Sequence, residues 1–142
     1  MNASPLASAR ACTRRVLAIG AGLLATATLA QAHHSFDAEF DRNKPVAVSG
    51  TVTRVEWTNP HARVYVDVKD ESGKLVNWDF ELAGPNGLMR RGWTRKSLKP
   101  GDVVSVTGYG AKLVPLVGNA SSITTSDGRK MFAGSSSEGN KK

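Results

Sequence analysis

Thiols are almost absent from this 142-residue chain, whose single cysteine is Cys12. Acidic residues are absent from its first 32 positions. No apolar run reaches the ~20 residues that a helix needs to cross a bilayer. Each absence excludes something. The longest apolar run, Val16 to Leu29, is too short for a membrane anchor but suits the core of a secretory leader. Arg10, Arg14 and Arg15 supply the basic start of that leader, and Ala30-Gln31-Ala32 supplies the small residues a signal peptidase reads. Residues 1–32 therefore read as a signal peptide cut after Ala32, and the destination as the periplasm. Thr13-Arg14-Arg15-Val16-Leu17 resembles a twin-arginine export signal, and the weakly hydrophobic run behind it, broken by Gly20 and Gly22, agrees.

Cleavage there would remove three arginines and lower the formal charge from +7 to +4. It would also remove Cys12, which precedes the apolar run and so is no lipidation site at the cut. The mature chain would carry no thiol and no disulfide, and its stability would rest on core burial alone. No stable membrane anchor is expected after cleavage. Residues 33–132 are expected to form one domain. Residues 133–142, AGSSSEGNKK, are too poor in apolar side chains to pack and are expected to be disordered.

Within the domain, β patterning dominates. In Pro45 to Trp57, Val46, Val48, Gly50 and Val52 share one face, then the apolar set shifts to Val55 and Trp57. A buried face that changes midway implies a bulge or bend, and Gly50 could permit it. Thr58-Asn59-Pro60 signals a turn. His61 to Lys69 alternates with Val64, Val66 and Val68 inward. Asp70 to Gly73 is a hairpin turn, and Leu75 to Leu82 alternates again with Val76, Trp78, Phe80 and Leu82 inward. Period two then fails. Pro85 can start a short helix through Arg91 that Gly92 ends. Val103 to Ala111 is a fourth strand and Ser121 to Thr125 a fifth, closed by the Ser126-Asp127-Gly128 turn. The fold class is all-β with small α content. A bent first strand, five strands and one helix between strands 3 and 4 point to an OB-like Greek-key barrel, with an open antiparallel sandwich as the alternative.

Six blocks carry a family resemblance: His33-His34-Ser35-Phe36, Gly50-Thr51-Val52, Glu56-Trp57-Thr58-Asn59-Pro60-His61, Asn77-Trp78 with Glu81-Leu82, Gly87-Leu88 with Arg90-Arg91-Gly92-Trp93, and Leu98-Lys99-Pro100-Gly101-Asp102. In these, over most of residues 33 to 108, the chain resembles a family of small exported bacterial proteins with no assigned function. The resemblance implies a periplasmic OB-like β-barrel and brings no reaction with it.

Function must then come from the residues. Two of the three histidines, His33 and His34, stand directly behind the expected cut. A freed α-amine has an ordinary pKa of about 7.7–8.0, so a metal displaces its proton at little cost at neutral pH. That amine and Nδ1 of His33 can close a chelate ring, and His61 is the one distant imidazole that could complete a three-nitrogen brace. His34 offers another arrangement through the intervening amide. Nitrogen donors in tetragonal geometry favour copper. The same histidines also fit a mobile terminus that binds metal adventitiously, and His61 also fits a strand-capping role.

Arg90, Arg91, Trp93, Arg95, Lys96 and Lys99 form a second constellation. It could grip an anionic glycan, a lipid headgroup or an acidic protein partner. Nucleic acid is not expected for an exported protein. A solvated connection with Trp93 plugging one end of the fold explains the same residues. Asp67, Asn77, Asp79 and Glu81 lie on the outward parity and read as the wet face of a sheet, with Glu81 in reach of Arg90 or Arg91. No nucleophile with an adjacent base is visible, so no enzyme activity is expected.

Overall fold

The computed structural model describes residues 36–134. The expected signal peptide, its cleavage point, His33 and His34 lie outside these residues. All elements below belong to the compact unit that starts at Asp37. They are β1 (Phe40–Glu56), β2 (Arg63–Lys69), β3 (Leu75–Glu81), a short helix α1 (Pro85–Arg90), β4 (Val103–Ala111), β5 (Val117–Thr125) and β6 (Lys130–Phe132).

The strands form one six-stranded sheet in the order β3-β2-β1-β4-β5-β6, with antiparallel neighbours. A parallel pairing of β3 with β5, Asp79 to Val117 through Glu81 to Asn119, joins the two sides so that the bonding runs in a ring. The all-β expectation thus holds, and β2, β3, α1 and β4 stand within two residues of where the sequence puts them. The strand number does not hold: six are present where five were expected. Lys130–Phe132 is too short to show alternation, and only its pairing with Ser122–Thr124 makes it a strand. β5 also starts four residues earlier than expected. Gly118, Asn119 and Ala120 are buried in succession, and a register shift against β4 that leaves Ser121 as the extra residue interrupts the period-two signal.

β1 pairs with β4 along its first two-thirds and with β2 along its last half, and Gly50 takes part in both pairings. The register shift lies between Val52 and Arg54, three residues past Gly50. One extra residue there moves the buried set from Val52 to Val55 and Trp57. Gly50 serves a different need: a Cβ there would stand 2.0 Å from the Asp67 carbonyl oxygen, so only glycine admits the close crossing of β1 over β2.

The core gathers the inward valines of β2 with Val52, Phe80, Leu82, Val104, Val106 and Ile123. Trp78 stacks on Phe80 with ring centroids 5.2 Å apart. α1 begins with Pro85, whose missing N–H costs nothing at a helix start, and ends where Gly92 takes φ +85°. It adds Leu88 to the core, fully buried. Trp93 follows, also buried, and its indole Nε1–H donates to the Phe132 carbonyl at 2.9 Å. Backbone bonding continues past β6: Ala133 donates to the Ser121 carbonyl at 2.9 Å and accepts from the Ala83 N–H at 2.7 Å.

Candidate functional site

The turn between β1 and β2 carries His61, and several contacts fix its backbone. The Leu82 N–H donates to the Ala62 carbonyl at 2.8 Å, and the Ala62 N–H to the Ala83 carbonyl at 3.3 Å. The Thr58 hydroxyl donates to the His61 carbonyl at 3.2 Å. The Pro60 carbonyl rests on Gly84, where a Cβ would come within 2.5 Å of it. The turn is thus docked on the end of β3.

The His61 ring is half-buried, its side chain 38% exposed, with Nδ1 3.1 Å from Glu81 Oε1. Glu81 is far more enclosed, at 12%. The same Oε1 accepts from Asn119 Nδ2 at 3.3 Å. Glu81 Oε2 lies 3.8 Å from the Arg63 guanidinium. Asn119 is 4% exposed, and its Oδ1 has no hydrogen-bond partner among the described residues.

Beside this cluster Arg63 grips Asp79 through both carboxylate oxygens, at 2.8 and 2.9 Å. That fork holds the guanidinium pKa above its ordinary value, against the opposing effect of burial. Tyr65 is raised as well, first by desolvation and then by the Asp79 and Glu56 charges. Its hydroxyl donates to Glu56 at 3.3 Å, while Arg54 stacks over its ring at 3.9 Å and pairs with Glu56 at 3.0 Å. Further along, Asn77 donates to Asp67 at 2.7 Å and to Thr53 at 3.1 Å. The outward carboxylates therefore form a partnered lattice. Glu81 pairs with His61 and Arg63, rather than with Arg90 or Arg91 as the sequence alone allowed.

Sequence reasoning missed the Arg63–Asp79 fork and Asn119. A signal for the fork was present. The Asp70–Gly73 turn sets Lys69 opposite Leu75, which places Arg63 opposite Glu81 and diagonal to Asp79. Nothing in the sequence announced Asn119, because the β3–β5 pairing that brings it to Glu81 joins residues 38 positions apart.

The basic segment divides. Arg90, Arg95, Lys96 and Lys99 are exposed. Arg91 donates to the Gly134 carbonyl. Trp93 is turned into the core and offers no stacking surface. Among the described residues none of Arg90, Arg95, Lys96 and Lys99 stands in an ion pair. Of the three candidate metal ligands the structure places only His61. Among the described residues no group of three His, Cys, Asp or Glu side chains could hold a metal ion, and no helix is long and apolar enough to cross a membrane.

A family model for a family of unknown function (DUF6152) matches residues 20–119. The chain belongs to that family. The DUF6152 match runs from Gly20 to Asn119, so His61, Glu81 and Asn119 all fall inside it. No curated protein matches the chain.

Proposed function

We propose that this DUF6152 protein is an exported, periplasmic ligand-binding protein built on an OB-like Greek-key barrel, and that its ligand is Cu(II). The bonding order β3-β2-β1-β4-β5, with β3 and β5 parallel, supports the barrel reading. In this reading cleavage after Ala32 frees the amine of His33, which chelates copper together with its own ring, and His61 supplies the third nitrogen. His34 is the alternative to His61. One observation carries the proposal: His61 is an immobilised, half-exposed imidazole on a turn docked to β3. A ligand already held in place loses little freedom on binding, which separates a built site from adventitious binding.

The test starts with mass spectrometry of the secreted protein, expected to begin at His33. Copper titration followed by electron paramagnetic resonance should then give a nitrogen-rich tetragonal spectrum. His33→Ala should abolish the tight phase and His61→Ala should weaken it. Binding as tight in the double variant as in the wild type would refute the reading.

A second reading rests on Arg90, Arg95, Lys96 and Lys99, which are exposed and free of ion pairs among the described residues. It makes the segment a contact for an anionic glycan or an acidic protein partner. Retention on a heparin column that falls with salt and is lost on charge reversal at Arg95 and Lys96 would support it. Unchanged retention would remove it.

A further inference from the structure

We propose that Glu81 is a positioning residue: it fixes the neutral His61 ring in its Nδ1–H form and leaves Nε2 as the nitrogen available to a ligand. The inference deepens the copper reading, and only its affinity arm rests on that reading.

The geometry runs in one direction. Glu81 is enclosed and held from several sides, by the Asn119 amide on Oε1, the Arg63 guanidinium facing Oε2, and the pairing of its strand with both β2 and β5. His61 Nδ1 meets the same Oε1 at 3.1 Å. A carboxylate only accepts, so the Nδ1 edge must carry the proton. In a neutral imidazole the other nitrogen is then a bare lone pair. Asn119 shows which contact takes priority. Its amide turns the NH2 group to Glu81 and leaves Oδ1 without a partner among the described residues. The amide thus serves the carboxylate, and the carboxylate serves the ring. A carboxylate on the non-coordinating nitrogen is the usual outer-shell device that orients a metal-binding histidine and raises its basicity.

The test is the 15N signature of His61 in the metal-free protein, read by long-range 1H–15N correlation on the alkaline plateau, where imidazole is neutral. The wild type should show a protonated Nδ1 and a pyridine-type Nε2. Glu81→Ala should move the ring toward the tautomer mixture of a free histidine. Glu81→Gln keeps the side-chain volume and one acceptor, so it serves where the alanine variant fails to fold. It should weaken the Nδ1–H preference without changing the sheet amide spectrum. A wild-type ring already carrying its proton on Nε2, or one unchanged in both folded variants, would overturn the proposal. In the affinity arm, loss of the carboxylate should weaken Cu(II) binding 10–100-fold. If the tautomer shifts as expected but Cu(II) affinity does not change, the copper role of His61 fails while its orientation by Glu81 stands.

Discussion

At the residue scale, burial and pairing decide what each polar side chain contributes. Arg63 and Asp79 are about three-quarters shielded from solvent and joined by a fork. Removing one partner strands the other in a poorly hydrated position. Arg63→Ala is expected to cost about 1–2 kcal/mol in urea denaturation. Arg63→Lys should recover only part of it, since an ammonium cannot reproduce the fork. Gly50 is the harsher case. A methyl group there collides with backbone that cannot yield, so Gly50→Ala should cost about 3 kcal/mol or prevent folding. Thermal unfolding would check it. Much of this scale was legible from alternation. Val64, Val66, Val68 and Phe80 are buried where the parity put them. The face change in β1 was legible as well, but Gly50 was read as permitting the bend, whereas the shift lies between Val52 and Arg54 and glycine is required by the close approach to Asp67.

At the element scale, the β2–β3 hairpin and α1 act by different physics. The hairpin turn is organised by Asp70, whose carboxylate accepts from the Ser72 hydroxyl at 2.6 Å and from the Ser72 and Lys74 N–H groups at 2.9 Å each. These bonds, the Ser72 hydroxyl foremost, hold its pKa below the ordinary carboxylate value. The turn therefore keeps this support at any pH above about 4, the range in which a free aspartate is ionised. It loses that support as pH falls through the depressed folded value. Protection factors of the Ser72 and Lys74 amides, which divide out the base-catalysed intrinsic rate, should fall on acidification below pH 4 and stay flat above it, and Asp70→Asn should remove the dependence. α1 is held instead by Leu88 and by the tryptophan behind it. Leu88→Ala should cost 2–5 kcal/mol, the usual range for an emptied core site, measured by thermal or chemical unfolding. The helix could be read from Pro85 and Gly92, which punctuate it. β5 and β6 could not be read fully. A strand broken by a register shift, or one of three residues, carries no clear alternation, and its existence depends on pairing between distant parts of the chain.

At the scale of the whole molecule, the candidate site joins residues from β1–β2, β3 and β5, so its geometry depends on closure of the sheet. The His61 turn was visible as a motif, but the cluster around it required the β3–β5 pairing. Cleavage after Ala32 would leave a mature protein without any thiol, so the denatured secreted protein should give no reaction with a thiol-specific reagent. One reactive thiol per chain would mean that Cys12 is retained.

The pairing of β3 with β5, and the strap formed by β6 and Ala133, have one more consequence. Among the described residues, every segment that links the two flanks of the sheet lies C-terminal to β4. During synthesis, β1 to β4 emerge before the residues that join them. Such a nascent chain can pair β2 with β1 and β3 but cannot close the ring until residues 117–133 have followed, so closure is the last step of assembly by topology alone.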